Sequence, residues 1–301
     1  MNDPAAALKR DAVAVFLFHG VIRTARTGIR NYTGKHLALD EFARILTSLE
    51  SAGSPVSMPE VASFCSGETT LPDYAFAVTF DDGFENNASV AAPALEEFRI
   101  PATFYVTTGF IDENGSSWID LIEQAVEEVD SFSLILPFRQ PHATYRTRDE
   151  KIALLDEIRK HAKLDSSIDP YELAGDVRAQ LGVQDLEPDV DLDRKLSWAQ
   201  IDELAQHELF TVGGHGLTHR ILSHLGDEAL EHEIAVGLGR LREEISVPVD
   251  QFSYPEGLAH CYSDRVIECI ARHGITCAVT AEPEVVRPGT DAFRIGRFLV
   301  A

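Results

Sequence analysis

Seven short stretches of this chain are mostly apolar and rich in β-branched or aromatic residues: 13–18 (VAVFLF), 76–80 (FAVTF), 102–107 (ATFYVT), 209–213 (LFTVG), 250–254 (DQFSY), 275–280 (ITCAVT) and 294–300 (RIGRFLV). Runs of this length, with little polar alternation, predict strands buried on both faces. Between them the hydrophobic period becomes that of a helix. In LALDEFARILTSLESAG, Phe42, Ile45, Leu46 and Leu49 share one face, and Gly53 is placed to end the helix in a left-handed turn. Segments 197–209, 226–245 and 261–274 follow the same rule, with Ser197, Asp227 and Ser263 as expected N-caps. Strands that alternate with helices predict an α/β fold with a parallel sheet, and seven in one rhythm predict a closed or nearly closed barrel.

Residues 112–196 break that rhythm. They offer one strand-like piece, FSLILPF, and helices near 118–129, 150–163 and 170–181. The expectation is one domain spanning 1–301 with a helical insertion at about 112–196, a lid or substrate wall.

Composition changes this picture little. The 301 residues fit one barrel, and 45% hydrophobic content suits an ordinary core. A net charge of −23 argues against DNA, RNA or anionic membrane as a direct partner, since each demands basic patches. The only apolar run near the N-terminus, AVAVFLF, is too short to span a bilayer and has no small-residue cleavage site after it. Read as the first core strand, it leaves no secretion signal and no membrane segment, so the cytoplasm is the expected compartment. The four cysteines fit no zinc or redox spacing and are expected reduced and partly buried.

The chemistry starts at FAVTFDDG, residues 76–83. Asp-Gly after an apolar run commonly marks a hairpin. Here FENNASVAAPALEEF follows with helical spacing, then the next strand, so the turn belongs to a βαβ unit and lies on the ligand-binding side. A second signal is FTVGGHGLTHRILSHL, where a strand runs into His215, with His219 four residues on. On one turn of helix that spacing brings two imidazoles together. Four-residue His pairs also arise by chance among eleven histidines, but this one follows a strand at the same end of the barrel as Asp81 and Asp82. Two imidazoles and one carboxylate make a three-ligand site with open positions for water, as in hydrolytic zinc centres. Of two adjacent aspartates, one holds the cation, and the other stays off it as a base for the activated water. Both face one pocket only if the strand has ended, and Gly83 permits that bend.

TFDDG, HGLTH and FSYPEG together resemble the polysaccharide deacetylase family, the NodB-like carbohydrate esterases of family 4, from FLFHGV at 16–21 to RIGRFLV. The resemblance implies a distorted (β/α)7, TIM-like barrel and metal-dependent hydrolysis of N-acetyl groups on an amino-sugar-containing saccharide. It implies Asp81 as general base and Asp82, His215 and His219 as ligands of a divalent metal, zinc foremost, with cobalt, nickel or manganese as alternatives. Three positions depart from the pattern. Gly216 replaces the usual Ser or Thr, Ser253 stands where an Arg usually holds the base aspartate, and Glu256 replaces an aromatic. Asp81 therefore needs another partner. The backbone N–H of Glu256, within Tyr254-Pro255-Glu256, is the expected oxyanion donor. The family's Leu-x-His acid is not visible, and His19, just after the first strand, is the substitute candidate. Trp198 is weighed as a sugar wall against plain core packing.

Two other functions stay open: hydrolysis of another small amide, formyl or cyclic, on the same fold, and a non-catalytic saccharide-binding relative. No Gly-x-Ser-x-Gly elbow supports a serine hydrolase.

Overall fold

The computed structural model describes residues 3–139, 144–184 and 186–301. The chain forms two compact units, one from the described residues of 1–25, 35–115 and 194–301, the other from 26–34 and 116–193.

All seven apolar runs of the first unit form strands: β1 (Val13–Phe18), β2 (Ala75–Phe80), β3 (Ala102–Val106), β4 (Phe210–Gly214), β5 (Gln251–Ser253), β6 (Cys277–Val279) and β7 (Phe298–Leu299). They lie in the order β7-β1-β2-β3-β4-β5-β6, all parallel, with Ser54–Pro55 added beside β2. β1 and β2 are buried along their whole length, as their lack of polar alternation requires. Side chains still sort by parity. Phe18, Phe80 and Phe104 stack across three strands with centroids 5.5 and 5.1 Å apart, on the face covered by helices such as Leu39–Ala52 and Asp227–Glu244. Val13, Val15, Ala75, Ala77, Tyr105, Cys277 and Val279 form a second cluster. β1 and β6 stand far apart in the sheet order, so only a concave inner face brings their side chains together.

The order has two ends, and the sheet curls into a half-barrel, the distorted α/β barrel expected. The C-terminal segment crosses the seam: Val286 bridges Val13, Ile295 bridges Val279, and Phe298 pairs with Phe16. Long strands cannot close the gap because β6 and β7 contribute only three and two residues.

Local expectations fare unevenly. Ser197 caps its helix in a reciprocal box with Gln200. Asp227 is instead the first helical residue after Gly226, and Ser263 makes no side-chain cap bond. Gly53 is extended, at φ −155°, because the chain passes straight into the Ser54–Pro55 pairing.

The second unit holds helices Trp118–Glu128, Arg148–Leu164 and Pro170–Leu181 around a core that includes Trp118, Ile122, Leu155, Ile158 and Val177. Ser117, Thr147 and Asp169 cap them. FSLILPF is not a strand. Phe132, Leu134 and Leu136 do alternate inward, but only isolated bridges to Tyr145 and Arg139 form. No helix among the described residues is long and apolar enough to cross a membrane.

Candidate active site

β2 ends at Phe80, and the backbone N–H of Asp81 still donates to Phe18 O at 3.1 Å. Asp81 thus extends the parity of Ala77 and Thr79 onto the concave face. The next two residues turn sharply, Asp82 at φ +73° and Gly83 at φ +72°. Asp is among the few non-glycine residues that tolerate this region, at a cost of roughly 1–2 kcal/mol. The turn breaks the strand's alternation, so both carboxylates end in one buried site, as the sequence requires.

Asp82 Oδ1 lies 3.4 Å from His215 Nε2 and 3.3 Å from His219 Nε2. All three side chains are buried, and Asp82 Oδ1 has no hydrogen-bond partner among the described residues. A buried carboxylate oxygen left bare between two imidazole nitrogens is costly unless a cation occupies the gap. The donor set, two nitrogens and one oxygen, suits a small divalent ion. His215 Nδ1 is 2.8 Å from Ser253 O, and since a carbonyl only accepts, the proton is on Nδ1 and the Nε2 lone pair faces the site. Lys35 Nζ sits 2.9 Å from Asp82 Oδ2.

The histidine pair is not on a helix. β4 ends at Gly214, and 215–219 is a loop with Gly216 at φ +79° and His219 at φ +57°. It sets the two rings 4.9 Å apart, and His219 also stacks on Phe110.

The partner missing for Asp81 is Arg297. Its guanidinium grips both carboxylate oxygens, Nη1 to Oδ1 at 2.8 Å and Nη2 to Oδ2 at 2.7 Å. Its remaining donors go to Thr280 O, Thr79 Oγ1 and Ser253 Oγ. Ser253, standing where the family places an Arg, donates to Asp81 Oδ2 at 3.0 Å. The signal for Arg297 was present in the sequence: an Arg inside the apolar run RIGRFLV, which is buried at 1% exposure. A buried guanidinium demands an anion.

Electrostatics sort these groups. Burial would raise the pKa of Asp81, but Arg297 and then His215 outweigh it and hold the carboxyl below its usual range. Asp82 is held well below it, with burial opposed by Lys35 and His219. His215 is raised, because Asp81 and Asp82 overcome its burial, whereas burial dominates at His219 and lowers it.

His19 stands just past β1 and is half-buried. Burial, only partly offset by Asp82, lowers its pKa to about 4, so the ring is uncharged at neutral pH. Metal-free protein should therefore lose stability as pH falls from 6.5 towards about 4, because the unfolded chain then binds a proton that the folded ring refuses. Thermal unfolding across that window should show a shallower pH slope for His19→Gln; identical slopes would remove this contribution.

The oxyanion candidates separate. Tyr254 donates its N–H to Val279 O and its hydroxyl to Phe293 O, and its ring stacks on Tyr262, which makes it a core residue with both donors engaged. Pro255 carries no N–H. Glu256 is half-buried at φ +63°. Trp198 gives its indole N–H to Asp112 and lies under Arg240, partly packed on the core. The four cysteines are buried, and no disulfide forms among the described residues.

Comparison with curated protein sequences gives no match. Among solved structures the chain is similar to IcaB from Ammonifex degensii, at 20% identity over 98% of this chain and 94% of that one, with a TM-score of 0.61. It is similar to the deacetylase PplD from Streptococcus pyogenes at 14% identity, over 97% and 93% of the two chains, with a TM-score of 0.62. The BpsB deacetylase domain from Bordetella bronchiseptica is 16% identical over 96% of each chain, with a TM-score of 0.57. At such identities these likenesses show the fold. Residues 68–278, which span β2 to β6 and contain Asp81, Asp82 and both histidines, match the model for polysaccharide deacetylases. The chain thus belongs to the polysaccharide deacetylase family, hydrolases that act on carbohydrate N-acetyl groups.

Proposed function

We propose that this protein removes N-acetyl groups from an amino-sugar-containing saccharide, with Asp82, His215 and His219 holding a divalent cation, zinc foremost, and Asp81 as general base. The observation that carries the reading is the bare Asp82 Oδ1 between two imidazole nitrogens, beside a second carboxylate held off them by Arg297. When bound, such a cation supplies Lewis acidity and lowers the pKa of water to about 7. Asp81 is ionised at neutral pH and accepts the proton of the attacking water. Its depressed pKa makes it a modest base, so its contribution is position: Arg297 and Ser253 fix both oxygens. The backbone at Glu256 is the proposed donor to the acyl oxygen. His19 is the proposed donor to the departing amine: the proton that Asp81 takes from the attacking water would pass through the ring to the nitrogen as the C–N bond breaks. The structure of PplD, similar in fold, is a complex with acetate, the acid that deacetylation would release.

The test joins metal content to product. Purified protein should contain about one equivalent of divalent metal by elemental analysis and release acetate, not formate, from a panel of acylated amino sugars. Asp82→Ala and His215→Ala should each lose both metal and activity, by at least about 100-fold in turnover. Formate release would move the reading to the alternative amide, and metal-free protein insensitive to chelator would move it to a binding relative.

A further inference from the structure

The geometry points to Glu233 as the positioning residue for His219, an assignment that rests on the metal-site reading above. Glu233 lies within the helix Asp227–Glu244 and is buried, at 4% exposure. A carboxylate so placed needs donors, and the loop between the two histidines supplies them. Oε1 accepts from the Leu217 N–H at 2.9 Å and the Thr218 N–H at 2.6 Å, and Oε2 accepts from Thr218 Oγ1 at 2.8 Å. The loop carbonyls are held on another side, where Thr108 N–H donates to Gly216 O at 3.2 Å and Gly109 N–H to Leu217 O at 2.8 Å. Both kinds of backbone group in 216–218 are thereby engaged, which leaves the loop little freedom. Gly216 belongs to the same device. Its φ is +79°, and a Cβ there would stand 3.0 Å from Glu233 Oε1, so a side chain at this position would press on the clamp.

The two histidines depend on this clamp unequally. His215 is held independently, by its backbone N–H to Val106 O at 2.9 Å and by Nδ1 to Ser253 O at 2.8 Å. His219 Nδ1 has no hydrogen-bond partner among the described residues, so its ring direction comes from the loop backbone and from Phe110. An imidazole usually gains orientation and ligand strength from a partner on its other nitrogen. For His219, Glu233 supplies the orientation one step removed, by fixing the backbone that carries the ring.

The experiment is chelator competition for Zn²⁺ with metal-stripped wild type, Glu233→Ala, Glu233→Gln, His219→Ala and the Glu233→Ala/His219→Ala double variant. Thermal unfolding of each metal-free protein runs alongside. Glu233→Ala should weaken zinc binding about 10–100-fold, close to the loss in His219→Ala. Glu233→Gln can keep its oxygen on the two backbone N–H groups and turn its N–H₂ to Thr218 Oγ1, which can accept, but it loses the negative charge, and should fall between wild type and Glu233→Ala. In the double variant the Glu233 substitution should add little, since the two residues act as one unit. Equal zinc affinity in wild type and Glu233→Ala overturns the assignment. So does a loss that adds in full to that of His219→Ala, which would mark a general structural effect. If Glu233→Ala does not fold, Glu233→Gln decides by the same criteria. A wild type that binds no zinc sinks the metal-site reading, and the role of Glu233 falls with it.

Discussion

Asp81→Asn is expected to retain its metal and lose turnover by roughly 10²–10⁴-fold, the usual worth of a positioned general base. The substitution preserves shape and removes the carboxylate charge, and with it the capacity to take a proton. Asp82, His215 and His219 remain, and Asp81 Oδ2 lies 3.8 Å from His215 Nε2, beyond hydrogen-bonding distance. The change also leaves Arg297 facing an amide whose N–H₂ opposes one guanidinium nitrogen, so some stability is lost as well. Turnover must therefore be measured per folded, metal-loaded molecule, by acetate release against elemental analysis. Wild-type turnover in such a sample would show that Asp81 is not the base.

The largest effect on stability is expected from Arg297→Met. This guanidinium and the Asp81 carboxylate are both nearly fully buried, and removing one member of such a pair leaves the other charge stranded. The expected loss is about 3–5 kcal/mol, read by urea unfolding. Arg297→Lys should lie between, because an ammonium keeps the charge but cannot grip both oxygens at once. The pH dependence follows from the same pair. Asp81 is held below its ordinary pKa, so the stability it contributes is present above the unfolded value of about 4 and is lost as pH falls through the lower folded value. Without Arg297, burial is opposed mainly by His215, the carboxyl pKa rises, and the acidic limb of the pH–rate profile should move upwards. Unchanged unfolding free energy in Arg297→Met would mean that the buried contact contributes nothing.

The two substitutions separate the tasks of chemistry and architecture at one residue pair. Asp81→Asn tests whether a proton is accepted there. Arg297→Met tests what keeps the acceptor ionised and aimed. A family member with Ser253 in place of the usual Arg therefore does not lack a clamp. The clamp arrives from the C-terminal segment, and Ser253 becomes a hydrogen-bond donor within it.

Much of this was legible in the chain itself. VAVFLF, FAVTF and ATFYVT carry no polar face, so they had to be central parallel strands, and they are. TFDDG had to leave the strand for both aspartates to reach one site, and paired positive φ values at Asp82 and Gly83 do this. The spacing of His215 and His219 would join two rings on one turn of helix, whereas the structure brings them together from a loop. Periodicity records only that two residues can meet, and a clamped loop satisfies the same spacing.

What the sequence determined by itself is the set of buried strands and the chemical types gathered at their ends, because burial and side-chain chemistry are local properties. Partnership was left to tertiary structure. Arg297 meets Asp81 across 216 residues, Glu233 reaches back to Leu217 and Thr218, and short end strands leave a half-barrel with a crossed seam. Each depends on which elements become neighbours once the sheet has curled. A buried ion must find its counter-ion in space, and nothing in its position along the chain says where that will be.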